Sequence, residues 1–290
     1  MAKLKSDPIG VTELVEYLDT SSDFAFELRC LKRLSALGFR CSHGGSYEDR
    51  VTKKTRQFDI RALLEHGDLR VRCAVECKNL SEWYPLLLTC VPRSVDESFH
   101  QLVFSFPPVV QPHESSAFSK YCEAVKFAHP KSEYAFQGPV GKSCVQVGKA
   151  PDGSIISTDA DVFDKWSQAL ASAHDLADDA AEEGELTETE VFSLILPIVM
   201  VPDGTLWRVD YSADGSRCSD PKQIDRCSFY VGHTYEAGGR VRGTMLVLSH
   251  LEFVTLSGIE KLAGGLLPRN NSWFQNVDSG QLVKGVFRRP

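Results

Sequence analysis

The run Val191–Val201, VFSLILPIVMV, constrains the fold of this chain more than any other segment. It is apolar at nearly every position, interrupted by Ser193 and Pro197. A membrane-spanning helix takes about 20 apolar residues, so the run is too short to cross a bilayer. It suits a strand buried on both faces. Pro202-Asp203-Gly204 turns the chain after it, and Leu206–Tyr211 returns. Such a strand needs a covering layer on each side.

Helices are available for those layers. Phe24–Leu37 carries Phe24, Leu28, Leu31 and Leu34 at helical spacing, with Ser21-Ser22-Asp23 as an N-cap and Gly38 as a stop. Asp161–Ala181 reads as a long helix with the stripe Phe163, Trp166, Leu170, Ala173 and Ala177. Val11–Leu18 reads as a short helix, and Glu252–Leu262 as a closing one. Strands are expected within Phe39–Ser46 (ending in a Gly44-Gly45 turn), Gln57–Leu64, Leu69–Lys78, Cys227–Tyr235 and Thr244–Ser249, with Ser143–Val147 opening a strand or a helix. Asn79 to about Val140 is irregular and proline-bearing, read as an insertion with one helix, Ser94–Phe104. The interleaving of strands and helices predicts an α/β fold.

The chain has 290 residues, 42% of them hydrophobic and 24% charged, enough to bury a sizeable core and too apolar for disorder. The N-terminus MAKLKSDPIG has lysines but no apolar segment behind them, unlike a signal peptide. The nine cysteines are odd in number and form no CxxC pair, which predicts free thiols in a reducing compartment rather than zinc sites. A soluble, cytoplasmic protein without membrane contact is the expectation.

The net charge of −7 hides an asymmetry. Glu27–Lys78 holds twelve Lys and Arg against seven Asp and Glu, whereas Asp159–Glu190 holds one Lys and eleven acids. A basic face can meet phosphates while an acidic one points elsewhere, and the acidic stretch 159–190 is a candidate surface for a protein partner.

Chemistry concentrates on two neighbouring strands. In Gln57-Phe58-Asp59-Ile60-Arg61, Asp59 faces away from Phe58 and Ile60. In Leu69–Lys78, Val71, Cys73, Val75 and Cys77 alternate with Arg72, Ala74, Glu76 and Lys78, so Glu76 and Lys78 leave one face. A turn near Gly67 makes the strands antiparallel and brings Asp59 toward Glu76 and Lys78. Carboxylate oxygens are the hard ligands that Mg²⁺ prefers. The ion would neutralise charge on a phosphate and acidify a bound water, while Lys78 would stabilise the transition state or orient that water. Glu27, three residues after Phe24 and four before Leu31, falls inside the apolar stripe of its helix, where a carboxylate needs a partner.

This constellation resembles the PD-(D/E)XK, restriction-endonuclease-like nuclease superfamily. The matching residues are Phe26-Glu27-Leu28, Phe58-Asp59-Ile60 and Val75-Glu76-Cys77-Lys78, with Phe58 where the family name has Pro. The resemblance covers roughly residues 20 to 80. It implies a mixed central sheet flanked by helices, Mg²⁺ or Mn²⁺ held by Asp59 and Glu76, water activation by Lys78, and a contribution from Glu27 through a metal-bound water. Gln168, or less closely Gln101, would match a glutamine that some members carry on a later helix. On this reading residues 11–265 form one nuclease domain with catalytic elements at 20–80, an insertion at 81–140, a helix at 161–181 and added strands at 190–250, followed by a tail at 266–290. Lys53, Lys54, Arg56, Arg61 and Lys142 are candidate phosphate contacts.

The expected activity is metal-dependent cleavage of DNA, in restriction or defence, by a homodimer where both strands are cut. The alternatives are a repair, recombination or RNA nuclease on the same site, and a catalytically inactive nuclease fold serving as an interaction subunit.

Overall fold

The computed structural model describes residues 7–107, 122–237, 244–266 and 273–274. In chain order the elements are α1 (Val11–Thr20), α2 (Phe24–Ala36), β1 (Arg40–His43), β2 (Ser46–Glu48), β3 (Thr55–Gln57), β4 (Ile60–His66), β5 (Leu69–Cys77), β6 (Leu86–Pro92), β7 (Phe99–Ser105), β8 (Cys122–Ala128), β9 (Pro139–Lys149), β10 (Ile155–Thr158), α3 (Ala160–Thr187), β11 (Val191–Val201), β12 (Leu206–Asp210), β13 (Lys222–Gln223), β14 (Arg226–Ala237), β15 (Thr244–Thr255) and α4 (Gly258–Leu266).

The apolar run is β11, and every one of its residues is buried. It lies inside a mixed sheet of thirteen strands, ordered β1-β4-β5-β11-β15-β14-β9-β6-β12-β13, with β7, β8 and β10 paired off this path. One edge of β11 runs parallel to β5 from Phe192 to Met200. Its other edge is shared, with Val191–Leu194 pairing antiparallel with β7 and Ile198–Val201 pairing parallel with β15. Pro197, which cannot donate a ladder hydrogen bond, falls in the gap between these two partners.

Both faces are covered. Val71, Cys73, Val75 and Cys77 of β5 and Leu194, Leu196, Ile198 and Met200 of β11 pack with Phe26, Cys30 and Leu34 of α2 and with Ile259 and Leu262 of α4. The opposite face takes α3, whose Ala173, Leu176, Ala177, Ala180 and Ala181 meet Ala74 of β5, Ile195 of β11 and Leu246 and Leu248 of β15. Burying each such Leu, Ile or Val contributes about 1.5–3 kcal/mol.

Several expectations change against the structure. Ser94–Phe104 is not a helix. Phe99, Leu102, Val103 and Phe104 are buried in β7, held between β8 and β11, and it is this pairing on both edges that sets the segment as a strand. The segment read as an insertion contributes β6, β7, β8 and the start of β9 to the same sheet. Glu252–Thr255 continue β15 against β11, so the closing helix starts only at Gly258. The strand expected at Gln57–Leu64 breaks at Phe58-Asp59, because Phe58 N–H donates to Gly45 O and Gly44 N–H donates to Asp59 O. The Phe58 ring fills the space where a Cβ on Gly45 would lie. Helix α3 is longer than expected, running through the acidic stretch to Thr187. The tail falls mainly outside the described residues, although Trp273 and Phe274 belong to the α2/α4 side of the core. No disulfide joins the cysteines, and among the described residues no helix is long and apolar enough to cross a membrane.

Part of the charge asymmetry is satisfied internally. Arg70 and Arg72 of β5 both pair with Glu183 of α3, Arg61 of β4 pairs with Asp175 at 2.7 Å, and Arg50 pairs with Asp178 at 2.9 Å. Half-buried pairs of this kind add little beyond a hydrophobic equivalent, but removing one partner strands the other charge. They seat α3 on the polar face of the hairpin.

Helix α3 also approaches β7 closely at Gly184. A Cβ there would stand 2.3 Å from Phe106 N and 2.4 Å from Ser105 C. Gly184→Ala should therefore cost about 1–3 kcal/mol in denaturant unfolding. Stabilisation, the usual result of Gly→Ala inside a helix, would show that α3 does not pack this tightly.

Candidate active site

The β4–β5 hairpin closes through a two-residue loop, with His66 opposite Leu69 and Ile60 opposite Val75. One step further along this register, Asp59 faces Glu76. Asp59 lies just before β4, pinned by the Gly44 N–H at 3.0 Å. Its Oδ2 accepts the Cys77 N–H at 2.8 Å.

Glu76 points to the α3 side and is 0% exposed. Neither of its carboxylate oxygens makes a hydrogen bond of standard geometry among the described residues, and the polar group set against them is Asp59, through its carboxyl and its backbone. Burial, and then the charge of Asp59, push its pKa from 4.5 to about 9, against the pull of Lys165. An ionised carboxylate so placed is costly unless a cation reaches it.

Lys165, one turn into α3, supplies the nearest cation. Its Nζ lies 2.8 Å from Asp59 Oδ2, 3.7 Å from Glu76 Oε2 and 3.8 Å from Asp23 Oδ2. Burial lowers its pKa, but the charge and hydrogen bond of Asp59, followed by Glu76 and Asp23, outweigh burial and raise it. Lys78 follows β5, its N–H bonded to Met200 O at 2.9 Å. Its ammonium lies 3.9 Å from Asp23 Oδ2 and 3.8 Å from Asp161 Oδ2. Asp23 occupies the N-cap position of α2 yet makes no cap bond. Its Oδ1 instead accepts the Asn79 N–H at 2.7 Å, tying the segment after β5 to the start of α2.

Four carboxyl groups (Asp23, Asp59, Glu76, Asp161) thus surround two ammoniums (Lys78, Lys165), a charge of −2 with all four ionised and −1 while Glu76 holds its proton. Among the described residues no group of three or more His, Cys, Asp and Glu is arranged as a metal cage. Carboxylate oxygens of Asp59, Glu76 and Asp23 do surround the Lys165 ammonium, and oxygen is the donor type that a hard divalent cation takes. Glu76 is the one among them buried without a donor at standard hydrogen-bond geometry.

Asp59, Glu76 and Lys78 are brought to one place. Glu27 is not in ionic contact with them, since its carboxylate meets His43 Nε2 at 3.1 Å. The buried stripe of α2 is Phe26, Cys30 and Leu34, while Phe24 and Leu28 are 57% and 44% exposed, so Glu27 borders the core instead of lying inside it. Gln168 is three residues beyond Lys165 on α3, and its carbonyl oxygen accepts the Tyr47 hydroxyl at 3.4 Å. Gln101 belongs to β7, where its Oε1 accepts the Val247 N–H.

Three of the five candidate phosphate contacts have internal partners. Arg56 pairs with Asp49. Arg61 pairs with Asp175 and lies over the Phe58 ring at 4.4 Å. Lys142 on β9, four places along the sheet from β5, pairs with Glu97. Lys53 and Lys54 remain exposed, and the 3.9 Å contact of Lys53 with Glu48 is a weak surface pair.

Asp23, Asp161 and Lys165 were not among the residues that the sequence singled out for the site. Lys165 did leave a signal, as the one lysine within the eleven acids of 159–190. Comparison of the chain with family models, with curated proteins and with solved structures gives no match in any of the three.

Between pH 4.5 and 9 the folded chain retains a proton on Glu76 that the unfolded chain has released, so the metal-free protein loses stability as pH rises through this window. Glu76→Gln keeps the shape and removes the titration. Thermal melts from pH 5 to 9 should show wild type falling progressively below Glu76→Gln; parallel profiles would rule out the perturbed carboxyl.

Proposed function

We propose that this chain is a divalent-metal-dependent nuclease that hydrolyses DNA phosphodiester bonds at the cluster of Asp59, Glu76, Lys78 and Lys165, on a restriction-endonuclease-like sheet. The observation that carries the reading is the placement of Asp59, just beyond the paired register and held by the Cys77 N–H, beside a fully buried Glu76 that has no donor at standard hydrogen-bond geometry. Asp59 and Glu76 would hold Mg²⁺ or Mn²⁺. The ion, when bound, neutralises charge on the phosphate and lowers the pKa of a coordinated water.

The chain's own residues do the rest. The Cys77 N–H fixes the Asp59 carboxylate, so its orientation does not depend on substrate. Lys165 competes with the ion for the same carboxylates and, once released, can donate to a phosphate oxygen. Lys78, between Asp23 and Asp161, orients the attacking water or donates to the phosphate. In the reaction the water oxygen bonds to phosphorus as the P–O bond to one sugar breaks. The water loses one proton to solvent, and the departing sugar oxygen gains one. Cutting both strands in one encounter would take two copies of the chain on one duplex.

The restriction or defence setting rests on the family resemblance of residues 20 to 80, since one fold hosts many functions. One observation favours a second reading. The ammonium of Lys165 provides a built-in countercharge for the carboxylates, as in a nuclease fold that has become a metal-free interaction subunit.

Supercoiled plasmid incubated with Mg²⁺, Mn²⁺ or EDTA separates the two. Under the nuclease reading wild type nicks or linearises it only with metal, Asp59→Ala abolishes cutting, and Lys78→Ala and Lys165→Ala each slow it about 100-fold or more. Intact plasmid in every lane, with intact RNA in a parallel set, supports the interaction subunit. Cutting that survives Asp59→Ala places the active site elsewhere.

A further inference from the structure

The parallel strands β5, β11 and β15 all end on one edge of the sheet, after Cys77, Val201 and Thr255. Ligands of open α/β sheets gather outside the carboxyl ends of parallel strands. The carboxylate cluster occupies that position at β5. At β11 and β15 the same edge holds a separate cleft of about 360 Å³, lined by Arg29, Lys32, Arg33 and Ala36 of α2 and by Asp203, Leu256 and Ser257 of the two turns. Helix α2 connects the places, with Asp23 at its start and the three cations further along.

The cleft is cationic. Arg29 lies over the Phe26 ring at 5.3 Å, which orients its guanidinium without neutralising it. Among the described residues neither Arg29 nor Lys32 has an ion-pair partner, and Arg33 pairs with Glu260. Asp203 is the one acid in the lining, and its two oxygens already accept Ser257 N–H at 2.9 Å and Ser257 Oγ–H at 3.1 Å. Planar and tetrahedral anions suit such a set, with Arg29 as a forked donor and Lys32 as a point charge.

We infer that this cleft holds a backbone phosphate of the DNA strand whose cleavage was proposed above, an inference that rests on that reading. Arg29 and Lys32 follow Asp23 by six and nine residues on α2. At 1.5 Å per residue this is roughly 9–14 Å along the helix, or roughly three to four nucleotides at 3.4 Å each along the duplex. The strand therefore runs along α2, not over the turn carrying Lys53 and Lys54. The contact carries no base information; it fixes the register of the strand on the site.

The test uses the full chain and the double variant Arg29→Ala/Lys32→Ala, both exposed positions whose thermal melts should match wild type. Tripolyphosphate titrated calorimetrically reads the cleft without DNA, and the variant should bind it at least ten-fold more weakly. A labelled duplex in EDTA, followed by anisotropy across salt concentrations, reads the strand. The slope of log K against log salt should become shallower by about one to two units in the double variant and stay unchanged in Lys149→Ala, a control on β9. Equal tripolyphosphate affinity, or an unchanged salt slope while wild type still cuts plasmid, overturns the cleft and leaves the nuclease standing. An equal loss of slope in Lys149→Ala means diffuse charge and overturns it as well. A slope that falls as expected in a protein that cuts neither DNA nor RNA retains the cleft and removes the nuclease.

Discussion

Helix α3 lies on the polar face of the β4–β5 hairpin, and the site depends on that contact. Without α3, Arg70, Arg72, Ala74 and Glu76 would be an ordinary solvated sheet face. With it, Glu183 and Asp175 neutralise the arginines, Glu76 passes from solvent to full burial, and Lys165 arrives opposite Asp59. Arg50, Arg61, Arg70, Arg72 and Lys78 of the basic segment thus pair with acids of α3. These pairs dock α3 on the hairpin, while Asp159, Asp164, Asp179, Glu185 and Glu188 stay exposed.

The burial matters chemically because it makes one carboxylate expensive. Glu76 has no donor at standard hydrogen-bond geometry among the described residues, sits against Asp59, and has only an ammonium 3.7 Å away to offset its charge. Asp59 is held the opposite way, accepting two hydrogen bonds at 2.8 Å. A fixed carboxylate beside an unsatisfied one is an arrangement that a divalent cation relieves. The cleft further along the same strand ends is the cationic counterpart, and α2 spans the distance between them.

Much of this could be read from residues alone. The apolar run at 191–201 is the doubly buried central strand, and the alternation in Leu69–Cys77 divides its side chains between two faces as expected. The short loop at Gly67 leads to the Asp59–Glu76 pairing through register alone. What escaped depends on tertiary pairing. Lys165 is 106 residues from Asp59 in sequence, and only the packing of α3 joins them. In α2 two stripes share helical spacing, Phe24/Leu28/Leu31 and Phe26/Cys30/Leu34. The second wins because Cys30 packs as a hydrophobe, and this moves Glu27 to the border and into contact with His43. Phe99–Ser105 is a strand because the segment is paired along both edges, with partners remote in sequence.

The central claim is that Asp59 and Glu76 form a divalent-cation site, and direct binding of Mn²⁺ tests it apart from any assay of cleavage. Titrating the protein with Mn²⁺ and following the free-ion signal by electron paramagnetic resonance should show bound metal in wild type and its loss in both Asp59→Asn and Glu76→Gln. Full free-ion signal at millimolar wild-type protein, or equal binding in the two variants, would contradict the account.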